Sequence, residues 1–294
     1  MTTDATILGD AGTATSRYAA TPGLRMHYVV AGPDDGVPII LLHGFPEFWY
    51  TWRLQIPALV AAGFRVVAPD QRGYNLTDKH GPYTVETLSA DIAHLQDHLG
   101  LQSSHIVGHD WGGAVAWTFA ALYPERTRTI TALNAPHLNA YQDALLHHPS
   151  QLLKSWYVLF FQLPYIPERL LGLRDYALLR RALSNGSSGA LTSADLDLYV
   201  ESCARPGALT AMLGWYRTIA RDFARRPVAP RYDVYAPSHV IWGDRDAYLS
   251  TTCNETLPRY APGVQIHLVE GVSHWVQLDA PATVNSLLID AILA

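Results

Sequence analysis

Cysteine is nearly absent from this chain of 294 residues, which has only Cys203 and Cys253. Two cysteines so far apart make neither a disulfide framework nor the close pairs of a metal site. A packed core must therefore hold the chain together, and a reducing, cytoplasmic location is expected. Basic runs are missing too. The net charge is −5, with no cluster of Lys and Arg. This argues against a nucleic-acid footprint and against a basic amphipathic helix lying on a membrane. No apolar run reaches the roughly 18 residues of a membrane span. The opening "MTTDATILGDAGTATSR" lacks the apolar centre of a secretion signal. There is no internal repeat and no low-complexity tract, and no metal or cofactor is expected.

Apolar residues, by contrast, make up 49% of the chain, enough for a sizeable core. "LRMHYVV" (24–30) alternates like a half-buried strand. "VPIILLHG" (37–44) is continuously apolar, the mark of a strand buried on both faces. "FRVVAPD" (64–70), "SSHIVGHD" (103–110), "TRTITALN" (127–134), "SHVIWGD" (238–244) and "VQIHLVEG" (264–271) repeat that form. A helix over 85–100, capped by Thr84 and stopped at Gly100, is predicted between two of them. Strands alternating with helices imply an α/β fold with a mostly parallel sheet and helices on both faces. Residues 137–230 break the alternation. "PERLLGLRDYALLRRAL" and "TSADLDLYVESC" are helix-like there, and "SNGSSG" (184–189) reads as a soft loop. The expected organisation is a core over 1–136 and 231–294 with a helical cap, 137–230, inserted over the carboxyl ends of the strands, where α/β proteins bind ligands.

"IVGHDWGGAVAW" (106–117) has the shape of a nucleophile elbow, a strand turning sharply into a helix. The motif known for that turn is G-x-S-x-G; here Asp110 stands at its centre. A helix-capping carboxylate is the plain alternative, but Gly108, Gly112 and Gly113 are better explained by a crowded turn. A carboxylate is ionised at neutral pH and needs no activating base. It suits attack at an sp³ carbon, giving an ester of the enzyme's own aspartate that water must then cleave. His274, just past the last strand, is the expected general base. Asp244 and Asp246 both follow a late strand, and spacing does not choose which of them orients the imidazole. Asn134 ends the strand before and cannot carry the charge. His43, His105 and His109 are read as structural or pocket-lining. Backbone N–H groups of Phe45 and Trp111 are the expected oxyanion donors.

"HGFPEFWYTWR", "GHDWGGAVAW", "LYPERTR", "LNAP", "WGDRD" and "SHWVQLDAP" together closely resemble the epoxide hydrolases of the α/β-hydrolase fold, and the match runs from about residue 24 onward. The resemblance implies an eight-stranded, mostly parallel sheet with a helical cap and a cofactor-free alkyl-enzyme mechanism. Its substrates would be small apolar epoxides and water. It selects Asp246 as the acid and implies a cis Phe45-Pro46 bond. It also implies two cap tyrosines that hydrogen-bond the epoxide oxygen, here Tyr157 in "SWYVLFFQLP" and Tyr216 in "LGWYRTIARD". Asn75 stands where the family has Gly, in a turn that Asn tolerates. Trp49, Trp52, Phe160, Phe161 and Trp215 suggest an aromatic-lined pocket. A haloalkane dehalogenase shares the Asp–His–Asp logic but commonly has Asn where this chain has Phe45. A non-catalytic small-molecule receptor would need none of this set. Nothing in the sequence fixes the oligomeric state; a homodimer is left open.

Overall fold

The computed structural model describes residues 5–7, 13–187, 189–225 and 230–293. Within them one sheet runs in the order β1-β2-β3-β5-β4-β6-β7-β8-β9. The strands are β1 (Ala5–Ile7), β2 (Thr13–Thr21), β3 (Leu24–Ala31), β4 (Val37–Leu42), β5 (Phe64–Pro69), β6 (Ser104–His109), β7 (Thr127–Leu133), β8 (Ser238–Gly243) and β9 (Gln265–Val269). The first three pair antiparallel, and β3 meets β5 antiparallel. From β5 to β9 every pairing is parallel. The expected eight strands are β2 to β9; β1, three residues long, adds a ninth at the edge. All six residues of β6 and of β8 are buried. Their apolar runs do not alternate because both faces are covered.

Four helices pack around this sheet: α1 (Ile56–Ala61), α2 (Val85–Leu99), α3 (Trp111–Leu122) and, near the chain end, α11 (Pro281–Leu293). α2 packs on α3, and α1 touches α11. α2 keeps its predicted limits: the Thr84 hydroxyl accepts from Thr87 N–H, and Gly100 closes the helix at φ +68°. The helical insertion lies between β7 and β8. It contains α4 (Leu138–His147), α5 (Pro149–Lys154), α6 (Trp156–Phe160), α7 (Ile166–Gly186), α8 (Ser193–Ala204) and α9 (Ala208–Arg225). α7 is broken at 173–176, where Arg174, Asp175 and Tyr176 all take positive φ. The loop predicted at 184–189 begins later, because the helix runs on through Gly186; Ser188 lies outside the described residues. α8 starts on a reciprocal capping box between Thr192 and Asp195. A short α10 (Val276–Asp279) follows β9. No helix among the described residues is long and apolar enough to cross a membrane.

The strand order decides where a ligand can sit. The chain passes from β4 outward to β5, then returns to place β6 on the other side of β4. This reversal opens a crevice at the carboxyl ends of β4 and β6. The segments leaving those two ends are His43-Gly44-Phe45 and Asp110.

Candidate active site

At the end of β6 the chain turns directly into α3. Asp110 occupies the corner with φ +51° and ψ −120°. A non-glycine residue held there costs on the order of 1–3 kcal/mol and needs surrounding structure to enforce it. The glycines show what enforces it: a Cβ on Gly112 would lie 2.1 Å from Leu42 O, and one on Gly108 2.3 Å from Gly112 O. Asp110 sits at the helix N-cap position, yet its side chain makes no capping hydrogen bond. Instead its carboxylate accepts from Phe45 N–H at 2.9 Å. The Phe45-Pro46 bond is cis, as the resemblance implied. Trp111 N–H, the second expected donor, makes no bond to this carboxylate among the described residues. As the first residue of α3, its N–H has no acceptor within the helix.

His274 stands beside Asp110, with Nε2 3.5 Å from Asp110 Oδ2. Its Nδ1 lies 2.6 Å from Asp246 Oδ2. Asp246 is buried, and Tyr248 N–H and Leu249 N–H donate to its other oxygen at 2.7 and 2.9 Å. The rival carboxylate, Asp244, is turned away and accepts from Gly271 N–H on the surface. Burial pushes Asp246 and Asp110 upward, but the His274 imidazole, with the surrounding hydrogen-bond donors, outweighs burial and holds both below their ordinary values. For His274 the balance runs the other way. Burial alone would lower it, and Asp246 and Asp110 together lift it to about 10.

Above Asp110 lies a cavity of about 250 Å³. Tyr157 of α6 and Tyr216 of α9 both line it, with ring centroids 6.0 Å apart. Burial, then Tyr141 and Asp110, pushes the Tyr157 phenol well above its ordinary value; burial and Asp110 do the same to Tyr216. Both phenols therefore keep their protons at neutral pH. The Trp111 ring meets the Tyr216 ring edge to face, with centroids 5.0 Å apart. The cavity is aromatic-lined as expected, but by Trp111, Tyr141, Tyr157, Tyr216 and Phe223 rather than by the five residues named from the sequence. Trp52 and Trp215 are fully buried core residues, and none of Trp49, Trp52, Phe160, Phe161 and Trp215 lines this cavity.

A profile of the alpha/beta hydrolase fold family matches residues 37–281. The chain is 42% identical to the AB hydrolase superfamily protein YfhM of Bacillus subtilis (strain 168), over 93% of this chain and 96% of that one. It is 38% identical to Epoxide hydrolase 4 of Homo sapiens, over 90% and 75% of the two chains. The crystal structure of a mutant epoxide hydrolase from Bacillus megaterium, complexed with its product (R)-3-[1]naphthyloxy-propane-1,2-diol, superposes with a TM-score of 0.86. That pair is 30% identical, with 95% of this chain and 100% of the other covered. The chain belongs to the epoxide hydrolase family of the α/β-hydrolase fold.

Three groups beside this family site escaped sequence reasoning. Asn134, at φ +40°, donates to Asp246 Oδ2 at 2.8 Å and to Gly243 O, and accepts from Gly243 N–H. It orients the acid it could not replace. Glu47 is fully buried and bonded to His109, Gly44 N–H, Thr51 and Gln277. A lone carboxylate in the aromatic stretch "HGFPEFWYTW" was a usable signal, since a buried charge requires partners. Gln151 and Lys154 of α5 tie the insertion to the loop carrying Asp246: Gln151 bonds Tyr248 O and Ser250 N–H, and Lys154 bonds Asp246 O. Spacing gives no sign of that contact, because its partners lie almost 100 residues apart.

Proposed function

We propose that this chain is an epoxide hydrolase that converts a small apolar epoxide to a vicinal diol through an ester on Asp110. The observation that carries the reading is a carboxylate, rather than a hydroxyl, at the elbow, facing two protonated phenols across an apolar cavity. In the first step an Asp110 oxygen attacks one ring carbon and the C–O bond to the epoxide oxygen breaks. Tyr157 and Tyr216 hydrogen-bond that oxygen, and one phenol gives it a proton. Ring opening would otherwise release an alkoxide, a poor leaving group in a site with little water. In the second step water attacks the ester carbonyl and His274, held by Asp246, takes its proton. The oxyanion then lies on Asp110, within reach of Phe45 N–H and of the free Trp111 N–H. The phenolate left by ring opening takes the His274 proton before water attacks, so the imidazole is neutral when it acts as base. On collapse the hydroxyl proton of the intermediate passes to the leaving oxygen, which releases the diol and restores the Asp110 carboxylate beside a protonated His274. The core over 1–136 and 231–294 carries the triad, and the cap over 137–230 carries the phenols. A haloalkane dehalogenase would need two side-chain N–H donors for a halide; the Trp111 indole could supply one, but Phe45 offers no side-chain donor.

One turnover in ¹⁸O-water with enzyme in excess tests the ester. The label should enter Asp110, and the first diol formed should carry none. Label found directly in that first diol would mean that water, not Asp110, opens the ring.

A further inference from the structure

We propose that the site takes epoxides substituted on one ring carbon only, with the other carbon bearing hydrogen. This rests on the epoxide hydrolase reading above and adds to it the class of substrate. The cavity has a single direction. From Tyr216 it follows one stripe of α9, namely Ile219, Ala220 and Phe223; facing it on α4 are Leu138, Tyr141 and Leu145. Seven residues of helix rise about 10 Å, so each wall spans that length. Leu152 and Leu159 also line it and are 57% and 72% exposed, which marks the mouth. An alkyl or aryl tail can lie along this arm and extend through the opening.

On the other side of the tyrosine pair the space is filled. Leu213 lies one turn before Tyr216 on α9, opposite in direction to Ile219 and Phe223, and is fully buried. Phe161 packs with Leu213 and Tyr216, with its ring 4.9 Å from that of Tyr216 and 5.7 Å from those of Tyr157 and Phe45. An oxirane whose oxygen is held by both phenols points its two carbons to opposite sides. A substituent on one carbon enters the arm; a trans substituent on the other meets Phe161 and Leu213. Closely packed interiors do not yield room for even a methyl group without cost.

The test compares 1,2-epoxyoctane with trans-2,3-epoxyoctane by kcat/KM. The internal epoxide should be roughly 10–200-fold poorer, the discrimination that one misplaced carbon produces in an apolar pocket. Phe161→Ala should raise turnover of the internal epoxide and leave 1,2-epoxyoctane within a few-fold. Should that variant fold poorly, Leu159→Trp at the exposed mouth tests the same arm: it should slow 1,2-epoxydodecane and spare 1,2-epoxybutane. Equal wild-type turnover of the two octane epoxides would overturn the single-arm inference and leave the enzyme an epoxide hydrolase. Hydrolysis of neither would overturn the activity itself and the inference with it.

Discussion

His274 sits between two carboxylates, and under the proposed mechanism its proton explains how two steps can share one histidine. With Asp246 and Asp110 both ionised, its affinity for that proton is lifted to about 10, so at neutral pH the free enzyme holds an imidazolium. Ring opening does not need it as a base. Once Asp110 becomes an ester, one of the two negative charges is gone and His274 releases its proton more readily, when a base is required. Single-turnover ester formation should therefore be flat across roughly pH 5–9, where carboxylates are ionised and phenols are not. Ester hydrolysis should rise with pH through the lowered value of His274 in the ester. His274→Gln should still open the ring and then stall, leaving protein heavier by one epoxide in its intact mass. A folded, inactive, unmodified His274→Gln protein would contradict this division. At this scale the sequence was most legible at Asp110, where an elbow of glycines advertises itself. It was silent between Asp244 and Asp246, since both follow β8 and only the resemblance, then the side-chain geometry, separates them.

Among the elements, α5 has six residues and makes a contact out of proportion to its length. Gln151, with no exposure, donates to Tyr248 O at 3.1 Å and to Ser155 Oγ at 2.9 Å, and accepts from Ser250 N–H at 2.7 Å. The same loop carries Asp246, and Tyr248 packs between Tyr157 and His274, 5.7 and 5.3 Å from their rings. One helix thus sets the spacing between a phenol on the cap and the imidazole on the core. Gln151→Leu keeps the bulk but leaves part-buried backbone groups of Tyr248 and Ser250 without these partners, at about 1–3 kcal/mol for such a loss. The urea midpoint should fall accordingly, and ring opening should slow because Tyr157 is no longer held. A variant with wild-type midpoint and rate would show that cap and core do not communicate through α5. Strands and α2 were legible because burial and capping write a period into the sequence. The break in α7 was not, because three non-glycine residues at positive φ carry no local signature.

Across the whole molecule, motifs scattered over 230 residues converge because β4 and β6 flank the point where the strand order reverses. The alternation of strands and helices announced this crevice, but not what braces it from behind. Glu47 does so. Its carboxylate bonds Gly44 N–H in the loop after β4, His109 at the end of β6 and Gln277 in α10. His109 lies between Glu47 Oε2 at 2.8 Å and His274 O at 3.0 Å. Both ring nitrogens thus face acceptors. The result is a buried Glu47–His109 pair whose further hydrogen bonds, to His274 O and from Gln277, tie it to the last tenth of the chain. Burial pushes Glu47 upward, but His109 and the other donors hold it below its ordinary 4.5. Removing one partner of a buried pair leaves the other charge uncompensated and costs about 3–5 kcal/mol. Glu47→Gln should lower stability toward urea by that order at neutral pH, and slow ester hydrolysis by loosening Phe45 and His274 together. The sign of the pH dependence follows from the lowered value. The stabilisation is complete above the ordinary glutamate range and disappears as pH falls through the folded value. The gap between wild type and Glu47→Gln should therefore be wide at pH 7 and narrow in acid below that range. A gap that stays constant into acid would mean that Glu47 acts by shape and hydrogen bonding alone, without its charge.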